Sequence, residues 1–171
     1  MSKSWLGFRE VNFFGYTCRH KNYEVSKDKK EALNQLEFPT NTKKARVLMG
    51  KGVFFSGFTP NYSQLVAHLT DLTKKKFTWE RSKWKHDYEQ EFRTFIKGLQ
   101  NACELFYPDY NLEWTLRTDA SQLGVAAVLL QRNHIDDKEV LQPIAFVSKK
   151  FSETATRWST IEQEAYAIYY A

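Results

Sequence analysis

The sequence predicts an α+β fold, in which a helical segment is followed by a three-stranded antiparallel sheet and one closing helix. Three observations carry that prediction. Tyr88, Phe92, Phe95, Ile96 and Leu99 recur at i, i+4, i+7, i+8 and i+11 with charged residues between them, the spacing of an amphipathic helix. From Leu112 onward the period falls to two, and three apolar runs follow one another with short polar connections, the pattern of a meander. Ser159-Thr-Ile-Glu162 then has the form of a capping box: Ser159 accepts from the N3 amide and Glu162 reaches back to the cap.

In chain order, residues 11–16 and 23–25 are short aromatic or β-branched runs separated by Arg19-His20-Lys21-Asn22, which suits a small hairpin. Ser26 caps a helix expected over 28–36, and Pro39 ends it. A second cap at 40–42 opens a helix with Ala45, Leu48, Met49, Gly52 and Phe55 on one stripe, stopped by Thr59-Pro60. A third helix from Ser63 is expected to bury Leu65, Leu69 and Leu72 and to run out in Lys74, Lys75 and Lys76. Those lysines either complement the carboxyl end of their own helix or contact phosphate, and the sequence leaves both open. Phe77, Trp79 and Trp84 sit in a polar connector whose aromatics dock on neighbouring helices. The stripe from Tyr88 to Leu99 is core. Pro108-Asp109-Tyr110-Asn111 marks a turn and a module boundary, dividing residues 1–110 from 111–171.

In the second module Trp114, Leu116 and Thr118 alternate with Thr115, Arg117 and Asp119, so the strand has an apolar face and a polar face that carries Asp119 to the turn. The run 125–130 is apolar on both faces and reads as a buried central strand. A polar loop over 132–139 leads to a third strand around 143–148. In the last helix, which begins at Thr160, Glu162 is the capping residue. Glu164 falls with Ile161, Ala165 and Ile168 on the stripe expected to face the sheet. A carboxylate there is costly unless paired. Arg117 is one candidate partner, and a divalent cation shared with Asp119 is the other.

Composition narrows the function classes. With 171 residues the chain can form one domain with a proper core or two small modules. Aromatic residues at 16% supply buried area or base-stacking surfaces, and composition does not separate the two. A net charge of +5 favours an anionic partner, nucleic acid first. Cys18 and Cys103 lie far apart, with no CxxC and no His at metal spacing, which predicts free thiols in a reducing compartment. There is no apolar run of membrane-spanning length and no basic-then-apolar leader, so an intracellular protein, cytoplasmic or nuclear, without a membrane partner is expected.

Leu116-Arg-Thr-Asp-Ala-Ser-x-x-Gly-Val-x-Ala-Val-Leu-x-Gln131, Gln142-Pro-Ile-Ala-Phe-Val-Ser-Lys-Lys150 and Trp158-Ser-Thr-Ile-Glu-Gln-Glu-Ala-Tyr-Ala-Ile168 resemble the start of the ribonuclease H domain in gypsy-type LTR retrotransposon polyproteins. Upstream, Val11-Asn-Phe-Phe-Gly-Tyr16 resembles the strand that closes the reverse transcriptase palm. Arg46-Val-Leu-Met-Gly50, Phe54-Phe-Ser-Gly-Phe-Thr-Pro-Asn-Tyr-Ser63, Leu69-Thr-Asp-Leu72 and Phe77-Thr-Trp79 resemble the thumb and connection that follow. The likeness runs over nearly the whole chain in the family's order.

The resemblance implies a helical palm-end, thumb and connection-like segment over 1–110 and, over 111–171, the N-terminal part of a ribonuclease H-like domain, an incomplete three-stranded sheet with its first helix. It also implies an enzyme family that copies RNA into DNA and cuts the RNA strand of an RNA·DNA hybrid with two magnesium ions, which manganese can replace. Asp119 matches the family's first-strand aspartate and Glu164 its first-helix glutamate. The remaining catalytic aspartates belong to elements downstream of that helix, and the polymerase's paired aspartates to a motif upstream. Both sites are therefore expected to be incomplete, and the magnesium to be weakly held. Asp136 and Asp137, in the loop expected between the second and third strands, do not replace the missing ligands. Gln122, Ala126 and Ala155 stand where the family usually has an acidic residue, Gly and Glu, and the Ala126 methyl is expected to crowd close packing. Two function readings follow. In one, the chain is an enzyme fragment contributing Asp119 and Glu164 to a magnesium site. In the other it is a non-catalytic nucleic-acid-binding or scaffold subunit, with other protein chains covering the open sheet edge and apolar face. An open reading frame with no selected role is a third, bland reading.

Overall fold

The computed structural model describes residues 7–135 and 138–171. The chain enters as a meander of β1 (Glu10–Phe13), β2 (Tyr16–Arg19) and β3 (Asn22–Val25), and β4 (Leu105–Phe106) later pairs with β3. The run 11–16 is not one strand. Phe14 and Gly15 have φ of 48° and 85°, and Phe13 pairs with Tyr16 across them. Positive φ at both central residues makes a two-residue hairpin turn whose twist suits the flanking strands. Arg19 pairs with Glu10, Glu24 and Glu104, and Lys30 with Glu24.

The helices form where local signals agree with packing. α1 (Lys27–Ala32) gives way to a 3-10 turn at Leu33–Gln35, shorter than the helix expected over 28–36, and buried Ser26 makes no side-chain cap bond. α2 (Thr42–Val53) is capped by Asn41, whose Oδ1 accepts from Lys44 N at 2.9 Å, and it buries Ala45, Leu48 and Gly52. Phe55 reaches the same core from beyond the helix end, just before a 3-10 turn at Ser56–Phe58. The expected third helix splits into α3 (Tyr62–Leu65) and a 3-10 segment, Leu69–Thr73. Thr70 and Thr73 hydroxyls donate to the carbonyls three residues back, at 2.8 and 2.7 Å. Leu69 and Leu72 are nevertheless fully buried. α4 (Tyr88–Gln100) is capped by Asp87 and buries Tyr88, Phe92, Phe95 and Leu99, the expected stripe. Phe77, Trp79 and Trp84 pack against this core, as expected.

The second sheet is the predicted antiparallel meander of β5 (Glu113–Ala120), β6 (Gly124–Ile135) and β7 (Lys138–Lys150), with β6 central. Most of the segment read as a polar loop over 132–139 is instead strand. Arg132 pairs with Leu141 and Ile135 with Lys138, and polar side chains cross the ladder from Asn133 to Gln142 and from Arg132 to Glu139. Asp136 and Asp137 lie outside the described residues. Gly124 opens β6 where its backbone runs against the Lys149 carbonyl, leaving no room for a Cβ.

α5 (Thr160–Tyr170) starts at the predicted capping box: Ser159 Oγ accepts from Glu162 N, and the Glu162 carboxylate accepts from Ser159 N at 2.7 Å. Its rotation differs from the expected one. Gln163 and Ala167 are buried, whereas Ile161 and Ile168 are 82% and 66% exposed, so the stripe holding Glu164 and Ala165 points outward. Aromatic packing sets this rotation: Tyr166 meets Phe151 and Trp158 and stacks on Tyr170, around a small core of Val125, Phe151, Ala155 and Ala167. Only the Ala120 end of β5 joins that core, and Trp114 and Leu116, on the apolar face of the strand, are exposed.

The two sheets are joined through β6 and β7. Phe146 packs on the first core, Ser148 Oγ accepts from Ser63 N at 2.9 Å, and Lys150 Nζ donates to the Ala67 carbonyl and to Thr70 Oγ1. Buried Gln131 holds the connecting turn, accepting from Asp109 N at 2.9 Å and donating to Asp109 O at 2.6 Å.

Candidate metal and nucleic-acid site

Asp119 is held near the end of β5, opposite Ala126 of β6, which pairs in turn with Ser148 of β7. Side chains alternate across a strand. Ala120 and Val125 face α5, so Asp119, Ala126 and Phe146 fall on the other face. There they line a cleft of about 120 Å³ with Pro60, Asn61 and Arg117. Ala126 is buried in its wall. Glu164 lies on the exposed side of α5.

Among the described residues, neither Asp119 nor Glu164 has a side-chain hydrogen bond or ion pair, and the alternative Arg117–Glu164 pair is not formed. Two uncompensated carboxylates supply hard oxygen donors, which is what Mg²⁺ or Mn²⁺ prefers. The donor type fits. Two carboxylates do not suffice to hold two ions. The one group of three or more converging metal-ligating side chains among the described residues is elsewhere: His68, His86 and Glu91. The expectation of no His at metal spacing missed it, because 18 positions separate the two histidines and only the fold brings them together. Cys18 and Cys103 are free, as expected.

The three lysines have different surroundings. Lys74 pairs with Asp71 at 2.7 Å, and that hydrogen bond raises the ammonium's pKa. Lys75 instead lines a groove of about 570 Å³ with Thr42, Lys43, Arg46 and Val47 of α2. The Arg46 guanidinium donates to the Thr73 carbonyl at 3.1 and 3.3 Å, which anchors this basic edge. Lys76 lines a second recess, of about 280 Å³, with Lys83, Trp84 and Lys85. Nothing in the sequence marks Lys43 or Arg46 as a phosphate contact. They stand on the cationic face of α2 opposite its apolar stripe, and the meeting of that face with Lys75 is tertiary.

A family profile described as the RNase H-like domain found in reverse transcriptase matches residues 84–171. The chain is 30% identical over 162 residues to the retrovirus-related Pol polyprotein from transposon 412 of Drosophila melanogaster, a match covering 95% of this chain and 12% of that protein. It is 31% identical over 159 residues to the transposon Tf2-3 polyprotein of Schizosaccharomyces pombe, covering 93% of this chain and 12% of the relative. The chain thus spans about an eighth of the length of these relatives. Among solved structures, the foamy viral protease-reverse transcriptase in complex with an RNA/DNA hybrid superposes with a TM-score of 0.76 at 19% identity, over 99% of this chain and 22% of that one. The same enzyme in complex with dsDNA gives 0.77 at 20% identity, over 99% and 34%. At these identities the likeness establishes the fold, an α+β arrangement shared with that enzyme.

Proposed function

The chain belongs to the family of RNase H-like domains found in reverse transcriptase, and on that premise we propose that it forms the junction of reverse transcriptase and ribonuclease H in a gypsy-type LTR retrotransposon Pol polyprotein. Residues 1–110 are the palm end, thumb and connection, and residues 111–171 open the ribonuclease H-like domain. The partner is an RNA·DNA hybrid. Lys75 with Lys43 and Arg46 takes its phosphates, Lys76 extends that contact, and Lys74, held by Asp71, adds charge. Asp119, on the cleft face of β5, and Glu164, on the solvent side of α5, are two of the carboxylates that hold Mg²⁺, or Mn²⁺ in its place, and the site closes only when further ligands draw them to one ion. When bound, paired ions of this kind activate a water and stabilise the leaving oxygen of an in-line displacement. Further carboxylates are needed to complete such a site, so these residues by themselves bind the ion weakly. No described helix is long and apolar enough to cross a membrane, and the reading carries an intracellular location, cytoplasmic or nuclear.

The observation that carries this reading is Asp119, a carboxylate without a side-chain partner among the described residues, which lines an open cleft at the end of β5, inside the region the family profile matches. Paramagnetic Mn²⁺ should broaden the amides around Asp119 and Glu164 together, and Asp119→Asn should abolish the effect. Broadening that ignores the substitution, or that spares Glu164, sinks the ligand assignment. Hybrid affinity should fall with salt, and Lys75→Ala should lower the logarithmic salt slope by about 0.9. Magnesium-dependent cutting of a labelled hybrid that survives Asp119→Asn would overturn the reading from the other side.

A second reading is favoured by one specific observation. Ile161, Ile168 and Tyr169 on α5 and Leu116 on the edge strand β5 are exposed. A non-catalytic nucleic-acid-binding or scaffold subunit would cover them with another protein chain. Hybrid binding that is indifferent to metal and to Asp119→Asn, together with stable assembly into a larger complex, distinguishes this reading.

A further inference from the structure

The 3-10 segment after α3 and the start of α4 approach one another at a cluster with no part in the site above. His68 stands just before Leu69, His86 just before the cap Asp87, and Glu91 in the first turn of α4. His68 Nδ1 lies 2.8 Å from Glu91 Oε1, His86 Nδ1 lies 4.0 Å from the same oxygen, and one donor atom from each residue falls within 4.8 Å of the other two. The two imidazoles are stacked, with ring centroids 3.8 Å apart and planes 12° from parallel. All three side chains are half-buried, so an ion has a path from solvent and a place for a bound water.

We propose that His68, His86 and Glu91 form a site for a divalent transition ion of the zinc class, which clips the 3-10 segment to the start of α4. Two imidazoles and a carboxylate are a recognised zinc donor set, and imidazole nitrogen selects Zn²⁺ over Mg²⁺, which takes oxygen ligands in an octahedron. Bonds of about 2.0–2.1 Å at a tetrahedral ion put neighbouring donors about 3.3 Å apart. The His68–Glu91 pair therefore opens by about half an ångström, and His86 closes by less than about 1 Å. Stacked rings aim their nitrogen lone pairs side by side, not at one point, so binding tilts the imidazoles out of the stack. The cluster is independent of Asp119 and Glu164, and its ion is of a different class, so either assignment can fail without the other.

The test uses the whole chain carrying Cys18→Ser and Cys103→Ser, which removes thiol ligands, titrated with Zn²⁺ in excess Mg²⁺. One Zn²⁺ per chain is expected by calorimetry. The imidazole resonances of His68 and His86 should shift while those of His20 and His134 stay in place. His86→Ala and Glu91→Gln should each weaken binding by about tenfold or more, the scale seen for perturbed metal sites. Glu91→Gln keeps the side chain's shape, and far-ultraviolet circular dichroism reports whether α4 persists. The proposal is overturned if millimolar Zn²⁺ gives no saturable binding. It is equally overturned if a His68→Ala/His86→Ala variant binds as the parent does, or if the shifts appear at His20 or His134.

Discussion

Gln131→Met tests how much the buried amide that holds the connecting turn against β6 contributes to stability. Gln131 is 1% exposed, and its amide closes a two-bond ring with the Asp109 backbone, accepting at 2.9 Å and donating at 2.6 Å. The arrangement imitates one rung of a β-ladder between a side chain and the connecting turn. Methionine preserves length and apolar volume but deletes both bonds. Each contributes a net ~0.5–1.5 kcal/mol, and an orphaned buried group costs ~1–3 kcal/mol. Asp109 is an exposed residue, so water can re-solvate part of what is lost, and the sum falls at ~1–3 kcal/mol. With urea m-values of ~1–3 kcal/mol/M this moves the unfolding midpoint by about 1 M, readable by tryptophan fluorescence. Hydrogen exchange at the Asp109 amide should accelerate in parallel. Gln131→Glu sharpens the test, because it keeps an acceptor for the N–H but turns a second acceptor, with charge, toward the Asp109 carbonyl. It should be less stable than the methionine variant at neutral pH and should recover as acid protonates the buried carboxyl. A methionine variant within ~0.5 kcal/mol of the parent, the range of ordinary surface changes, refutes the reasoning. So does a glutamate variant that outlasts it at neutral pH.

Three further outcomes follow from the packing and the charges. Gly124→Ala puts a methyl into the Lys149 carbonyl, backbone that cannot turn aside, and should cost ~1–3 kcal/mol, seen as a lowered melting temperature without change at α4. For Glu24, desolvation pushes the carboxyl up, but hydrogen bonds from Lys30 and Arg19 outweigh it and hold the group below the ordinary value of 4.5. Its contribution is thus present above that value and is lost as pH falls through the depressed one, so Glu24→Gln should flatten the acid limb of the stability profile measured by urea midpoints. Burial pushes the Tyr62 phenol from 10.0 up to about 12. Stability should fall as pH rises through that interval, because the unfolded chain ionises first, and Tyr62→Phe should remove this alkaline dependence.

The parts of the fold legible in the sequence are those decided locally. The α4 stripe and the Ser159–Glu162 box each need only residues within a few turns, and both formed as read. The expected third helix splits after Leu65, and nothing local in residues 63–73 signals where it would break. The strand content of 132–139 was hidden because its polar side chains look like loop, and the ladder that orders them lies across the hairpin. The rotation of α5 was underdetermined: Ile161 and Ile168 are as apolar as Tyr166 and Tyr170, and only contact with Phe151 and Trp158 ranks them. At the site, Asp119 stood out by its motif and its strand end. Lys43 and Arg46 against Lys75, and His68 against His86 and Glu91, required the fold to bring distant segments together.

β7 belongs to two packing systems at once, pairing with β6 while its Phe146, Ser148 and Lys150 grip the helical half. A sheet hung on a flexible tether samples a range of reach that widens with tether length. Here the distance from the α2 groove to the Asp119 cleft is set by a shared strand, as in a rigid caliper. On the hybrid proposed as partner, a constant span is also a constant phase: a groove that took one phosphate would present the cleft to the same turn and the same strand each time. Lengthening the turn around Asp109 would leave that phase unaltered, whereas breaking the seam along β7 would let it drift.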